Sequence, residues 1–238
     1  MLARVNPLSG VFGESWELYK AHWRHFALIA LLIYGLIAVI SILLAVLLGW
    51  LGLLLAGLVG IAGAFWLQGT LIEAVRDVRD GRADLSVGET FERVLPSLNR
   101  IVIAGILLGI AIGVGLLLFI VPGLIVLTLW IFVIPAIVLE NRGIVDAFGR
   151  SRELVRGNGW SVFGVIVLTF ILLLGVSLAL SLILAPLDDW LGSLIQQVVG
   201  NTLVAPFAII VWTLSYYRLH ALEGAPVSAE PLVDPDVS

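Results

Sequence analysis

Three histidines are the side chains of this sequence best suited to metal binding. His22 and His25 stand three residues apart and could share one face of a helix, whereas His220 lies near the other end of the chain. A metal site built on this pair needs at least one more ligand nearby, which Glu17 or His220 could supply. Surface histidines without converging ligands are far commoner than metal sites, so we predict no metal centre.

Two adjacent aspartates, Asp188 and Asp189, are the other candidates for chemistry, as an acid–base pair. The surrounding apolar stretch offers them no His, Arg or Lys, so the pair is more typical of a solvated turn. The chain has no cysteine. It also has no Gly-x-Ser-x-Gly elbow, phosphate-binding glycine loop or His-Glu-x-x-His motif. We therefore predict that the protein is not an enzyme, with no catalytic residues and no cofactor.

The elements that must position these side chains are overwhelmingly apolar. Hydrophobic residues make up 61% of the 238 positions and charged residues only 13%, and the mean hydropathy is +1.12. Soluble domains are close to half apolar and a quarter charged, so this composition requires lipid as the solvent. The net charge of −4 argues against a nucleic-acid partner, which would call for clustered Lys and Arg.

The lengths of the uncharged runs predict an all-α protein with six transmembrane helices. Residues 25–72 and 101–139 contain no Asp, Glu, Lys or Arg, and each run is long enough for two spans of about 20 residues. Turns are expected at 49–52 and 121–123, where Gly and Pro interrupt the apolar pattern. One membrane domain is expected over residues 1–220, followed by a polar acidic tail, 221–238. The predicted helices cover about 26–48, 51–73, 101–120, 123–139, 160–185 and 194–217.

The 13 Lys and Arg residues all fall on one side of this predicted bundle. They precede the first helix, lie between helices two and three and between four and five, or follow helix six. The opposite loops carry only the aspartate pair. The positive-inside rule therefore predicts that both termini lie in the cytoplasm.

A short motif precedes each predicted hairpin and suggests an internal repeat. The motif has a hydroxyl residue with Glu two positions later, at 14–17, 89–92 and 150–153, and the hydroxyls are Ser15, Thr90 and Ser151. An apolar run follows about ten residues later each time. We predict three copies of one unit, each an interfacial amphipathic helix followed by a transmembrane hairpin.

The first of these amphipathic segments carries an aromatic stripe. Phe12, Trp16, Tyr19 and Trp23 recur at helical spacing, and charged residues occupy the opposite side. Such a helix suits the headgroup region, where aromatic rings are favoured. Packing of the stripe against the bundle is an equally good reading, because both surroundings require the same apolar face.

Small residues and prolines mark two further features. Gly105, Gly109 and Gly113 form one bare ridge, which predicts close packing of helix three against a neighbouring helix. Pro135 and Pro206 lie well inside apolar sequence and predict helix kinks. Kinked helices line substrate sites in some transporters, although kinks that are merely tolerated by packing are commoner.

The stretch from 121 to 160 contains Val121-Pro122-Gly123, Trp130, Pro135, Val138-Leu139-Glu140, Asp146-Ala147-Phe148, Ser151, Glu153-Leu154 and Gly157 to Trp160. This pattern resembles the signature of the bacterial glycerophosphoryl diester phosphodiesterase membrane domain family. The resemblance implies six spans in the bacterial cytoplasmic membrane and a link to glycerophospholipid metabolism. Some members carry a soluble phosphodiesterase barrel after the membrane part; here only 20 residues follow Arg218, and the His-Arg-Gly opening of that barrel is absent.

Two functions follow from these observations as hypotheses. The first is a non-enzymatic membrane module that binds membrane lipids, a membrane protein partner or a second copy of itself. The second is a transporter, channel or lipid carrier for a small or lipidic substrate, which the kinks and repeats favour. An intramembrane enzyme would need converging ionisable residues, and the predicted spans have none at their centres.

Overall fold

The computed structural model describes residues 6–79, 85–187, 192, 195–196 and 198–224. This part of the chain is almost entirely helical and contains no strand, which confirms the all-α class. A 3-10 turn, Leu95–Ser97, and a π-helical segment, Gly200–Val204, join the α-helices. The α-helices are α1 Val11–Val78, α2 Val87–Val94, α3 Leu98–Leu118, α4 Ile120–Trp130, α5 Val133–Glu140, α6 Ile144–Val155, α7 Gly159–Leu184 and α8 Ala205–Gly224.

Helix α1 departs from helical backbone geometry at two positions. His22 has non-helical backbone angles, and Gly49 has φ 56° and ψ −128°, a conformation that favours glycine. At Gly49 the chain turns back on itself and brings Gly52 against the preceding arm. A Cβ on Gly52 would stand 1.8 Å from the Leu44 carbonyl oxygen. Farther down, Gly63 faces the Ile37 side chain. The two long arms of α1 therefore run antiparallel as a hairpin.

A second hairpin is formed by α3 and α4. The chain reverses at Phe119, with φ −164° and ψ 153°, two residues before the expected turn at 121–123. Pro122 is the third residue of α4, where the helix has no internal partner for a backbone N–H, so proline is compatible there. Gly115 and Gly123 let the arms meet, since a Cβ on Gly115 would lie 2.8 Å from the Cα of Gly123.

Two helices are interrupted shortly before a proline. The single helix expected over 123–139 is divided into α4 and α5 by the turn at Ile131 and Phe132. Pro135 has no N–H to offer the carbonyl of Ile131, four residues earlier. In the same way, the π-helical segment immediately precedes α8, in which Pro206 is the second residue.

Within the residues that the structure describes, five helical stretches are long and apolar enough to cross a membrane. They are Val11–Val78, Val87–Leu118, Ile120–Glu140, Gly159–Leu184 and Thr202–Glu223. The first of them contains the reversal at Gly49. The expectation of several long apolar helices is therefore confirmed.

The buried core lies toward the charged end of the bundle. It includes Phe26, Ile72, Ile134 and Tyr216, each no more than 1% exposed. The opposite end is apolar but uncovered: Trp50 is 75% exposed and other tip residues are similar. The helices thus pack tightly where the charges are and present apolar side chains on most of their remaining length.

Candidate functional site

A buried arginine organises the charged end of the bundle. Glu140 closes α5, and Asn141, with φ 54°, turns the chain toward α6 through the three residues 141–143. Arg100 from α3 holds this turn by donating to the backbone carbonyl of Asn141 at 3.2 Å. Arg150, two turns into α6, comes back over the end of α5 and is only 9% exposed.

Arg150 donates to two carboxylates from distant parts of the chain. Its Nε lies 2.9 Å from Oε1 of Glu140, and its Nη2 lies 2.7 Å from Oε2 of Glu223 in α8. The hydrogen bonds to Glu223, followed by those to Glu140, raise the pKa of Arg150 above its usual value. The Arg150 guanidinium therefore stays protonated between the two carboxylates.

Aromatic and imidazole groups complete this cluster. The Tyr216 hydroxyl donates to Glu140, and the His220 ring stacks on the Tyr216 ring with an interplanar angle of 6°. Nδ1 of His220 lies 2.8 Å from Nη2 of Arg150. Because a guanidinium has only donors, Nη2 of Arg150 is the donor in this contact. Arg142 adds a second cation 2.9 Å from Glu140, so two carboxylates face two arginines.

Ser151 ties α6 to the break between α4 and α5. Its Oγ donates to the carbonyl of Leu129 at 2.8 Å and accepts from the N–H of Phe132 at 3.2 Å. The side chain is fully buried. Trp130 and Phe148 pack edge to face beside it, 5.0 Å between ring centroids. Several residues that carry the family resemblance thus meet at one corner.

A second ion cluster joins α1, α2 and α8. Glu73, 4% exposed, lies 3.4 Å from Arg76 and 3.5 Å from Arg93. Arg79 stands over the Tyr217 ring, 4.0 Å from its centroid. In both clusters a carboxylate at the charged end of an apolar helical segment is therefore paired with arginines.

The three hydroxyls of the predicted repeat are all buried. Ser15, Thr90 and Ser151 are each 0% exposed, and each lies on a helix that begins at Val11, Val87 or Ile144. Ser15 and Thr90 donate to the carbonyl four residues earlier in their own helices, whereas Ser151 reaches another element. The glutamates two positions later, Glu17, Glu92 and Glu153, are exposed.

The aromatic stripe of α1 divides between the bundle and the outside. The Tyr19 hydroxyl donates to the carbonyl of Leu203 at 2.9 Å, and Phe12 is half-buried against the core. Trp16 and Trp23 are 51% and 45% exposed. Cations accompany both indoles, with Lys20 5.8 Å from the Trp16 centroid and Arg24 stacked similarly on Trp23.

The predicted glycine ridge on α3 packs at one position only. A Cβ on Gly105 would lie 2.4 Å from the ring of Phe65 in α1. At Gly109 and Gly113 the added atom would meet nothing within 4 Å. No other part of the described chain lies against these two glycines, so close helix packing there stays a prediction.

The sequence-based search for chemistry missed the Arg150 cluster. Among the described residues no group of three His, Asp or Glu side chains is placed to hold a metal, and Asp188 and Asp189 lie outside those residues. The sequence suggests His220 only as a metal ligand, whereas the structure places it beside Arg150. A signal did exist: Arg150 stands on the apolar face of α6 with Ala147 and Leu154, and a cation on such a face needs an acidic partner.

Comparisons with known proteins bring one match. No curated protein matches the chain, and neither does any solved structure. A family model matches residues 42–219, which begin in the first arm of the α1 hairpin and end in α8. The matched region includes Glu140, Arg150, Ser151 and Tyr216, whereas His220 and Glu223 lie beyond its end. The family's description is "Domain of unknown function (DUF7847)", and the chain belongs to this family.

Proposed function

We propose that this protein is a non-enzymatic integral membrane module that binds membrane lipid. The observation that carries the proposal is the division of the molecule into a charged end with internally paired ions and an apolar remainder with exposed side chains. Leu117 in α3 is 88% exposed and Leu182 in α7 is 77% exposed. In water such surfaces would be covered; in a bilayer they are the surface that contacts lipid.

The proposed topology has six spans, counting the two arms of α1 separately. Each pair of spans follows one short amphipathic helix, which makes three repeats of one unit. The two ends of the described chain meet on the charged side, where Arg218 lies 2.7 Å from Glu14. All 13 cations lie on that side of the proposed topology, which favours cytoplasmic termini. The resemblance suggests the bacterial cytoplasmic membrane and a link to glycerophospholipid metabolism.

A non-enzymatic role is supported by the way the ionisable groups are used. Glu140 accepts hydrogen bonds from Arg150, Arg142 and Tyr216, and Glu73 lies between two arginines. Catalytic acids and bases need an accessible position and a proton to exchange. Carboxylates held by several donors instead stabilise the junctions between helices.

Lipid is favoured as the ligand by the exposed strip on the first segment of α1. Trp16 and Trp23 face outward with Lys20 and Arg24 beside their rings. Indole rings partition to the headgroup region, and cations there attract anionic phosphates. The strip therefore suits the cytoplasmic lipid surface.

Native mass spectrometry of the full chain, released from detergent micelles, tests this proposal. We expect discrete phospholipid adducts that survive detergent exchange, and fewer anionic adducts in a Lys20→Gln, Arg24→Gln double variant. An Arg152→Gln variant, altered at an exposed arginine of α6, is the matched control. Spectra without lipid that instead contain a second protein subunit would contradict lipid binding and favour a protein partner or homo-oligomer.

A lipid carrier or transporter is the second candidate, and one observation favours it. The interruptions at 131–132 and 200–204 both fall in the second arm of a proposed hairpin and both precede a proline. Interrupted helices at corresponding repeat positions are a common feature of transport sites. Vesicles containing the purified chain and a fluorescent phospholipid would test this, since a carrier exposes the inner-leaflet probe to an external quencher faster than empty vesicles do.

A further inference from the structure

We propose that a cavity between α7 and the π-helical segment holds one acyl chain of a membrane lipid. The cavity measures about 200 Å³. Its walls include Leu173, Val176 and Leu180 from α7 and Val204 from the other side. The proposal deepens the lipid-binding function above by naming the site and the part of the lipid that it binds.

The local backbone explains why the cavity exists. Residues Gly200–Val204 form a π-helical turn, which is wider than an α-helical turn and is frequent at functional sites. Gly200 lines the cavity, and a Cβ built on it would meet no atom within 4 Å. The wide turn and the missing side chain together leave the space beside α7 unfilled.

A polar pair lies at one wall of this otherwise apolar cavity. Nε2 of Gln196 donates to Oγ of Ser177 at 3.0 Å. Ser177 lies 18 residues into α7, about 27 Å from the charged end at 1.5 Å per residue. The hydrocarbon core of a bilayer is about 30 Å thick, so this pair stands near its outer boundary, at the depth of lipid ester groups.

The occupant that fits these features is an acyl chain with its ester near the polar pair. Leu173 and Val204 continue the cavity toward the middle of the bilayer, where lipid chains are the surrounding solvent. Water is disfavoured because it needs two to four polar partners, and the side chains in the walls are apolar apart from Gln196 and Ser177. A volume of about 200 Å³ is below the 300 Å³ or more of pockets that bind whole drug-sized ligands, and it suits a segment of one acyl chain.

Photo-crosslinking tests the site directly. The full chain is reconstituted in phosphatidylcholine vesicles that contain a phospholipid with a diazirine on its acyl chain, illuminated, digested and analysed by mass spectrometry. We expect crosslinks concentrated on residues 173–180 and 200–205. Gly200→Leu, which places a side chain in the cavity, should lower these crosslinks about tenfold.

The matched control is Gly175→Leu, on an exposed face of α7 where an added Cβ also meets no atom within 4 Å. This variant should keep the wild-type crosslinks. Val176→Phe narrows the same cavity from α7 and serves if Gly200→Leu does not fold. Crosslinks spread evenly around α7 in the wild type, or unchanged in both cavity variants, would overturn the proposal. If the crosslinks contradict the cavity but native mass spectra still contain lipid adducts, the lipid-binding function is supported without this site. If no variant carries lipid adducts, both the cavity proposal and the lipid-binding function are contradicted.

Discussion

Ser151 offers a sharp test of how the broken span is held together. Among the residues that the structure describes, its hydroxyl is the only side-chain group that hydrogen-bonds on both sides of the break between α4 and α5, at Leu129 and at Phe132. Phe132 is 1% exposed, so its N–H has no access to solvent. Ser151→Ala removes both hydrogen bonds and leaves that N–H buried without its acceptor.

The magnitude follows from the loss of two hydrogen bonds and from the buried N–H that is left without an acceptor. A typical net hydrogen bond contributes about 1 kcal/mol, and leaving a buried backbone group unsatisfied costs about 1–3 kcal/mol. We therefore expect Ser151→Ala to lower the free energy of unfolding by about 2–3 kcal/mol. For a chain of this length each kcal/mol lowers Tm by about 2–4 °C, so Tm should fall by about 4–12 °C.

Thermal unfolding in one detergent, followed by tryptophan fluorescence, measures this change. Ser15→Ala is the matched control, because Ser15 is equally buried and holds the same motif position but bonds only to Val11 in its own helix. That variant should shift the free energy of unfolding by no more than about 0.5 kcal/mol, since the Val11 carbonyl already accepts within the helix. Equal shifts for both variants, or no shift at Ser151, would refute the bridging role.

Three further predictions concern the ion cluster, the glycine ridge and the topology. Arg150→Met should lower the free energy of unfolding by about 2–3 kcal/mol, which is less than the full cost of breaking a buried ion pair because Glu223 is partly exposed. Arg152→Met, at an exposed arginine of the same helix, should change it little. Equal Tm values for the two variants would contradict this prediction. Gly105→Leu should lower Tm in detergent, because its side chain would strike Phe65, whereas Gly109→Leu should be tolerated. A cysteine in place of Trp50 should react with a membrane-impermeant thiol reagent on intact cells, and reaction only after lysis would reverse the proposed topology.

Local sequence was sufficient to predict the helical class and much of its punctuation. Apolar runs too long for one span imply a reversal, and the chain does reverse at Gly49, where only a residue without a side chain readily adopts the combination of φ 56° and ψ −128°. The second reversal was placed two residues late. The sequence predicts Pro122 within the turn, whereas proline is compatible with the first turn of a helix and Pro122 lies in α4.

The alternation of buried and exposed faces could also be read locally. A hydroxyl followed two positions later by Glu places the two side chains on different sides of a helix, and Ser15, Thr90 and Ser151 are indeed buried while their glutamates are exposed. What a buried hydroxyl bonds to depends on the neighbouring element. Nothing in the motif distinguishes Ser151, which bridges a break, from Ser15, which bonds within its own helix.

Only the tertiary structure decided which charges meet and which glycines pack. Arg150 and Glu223 are 73 residues apart in sequence, and their pairing depends on how α6 and α8 come together. Gly105 and Gly109 share one helix face, yet a Cβ would meet Phe65 only at Gly105. Periodicity specifies the direction in which a side chain points. Whether another helix lies in that direction is a property of the assembled bundle, since in lipid an apolar face is stable with or without a protein neighbour.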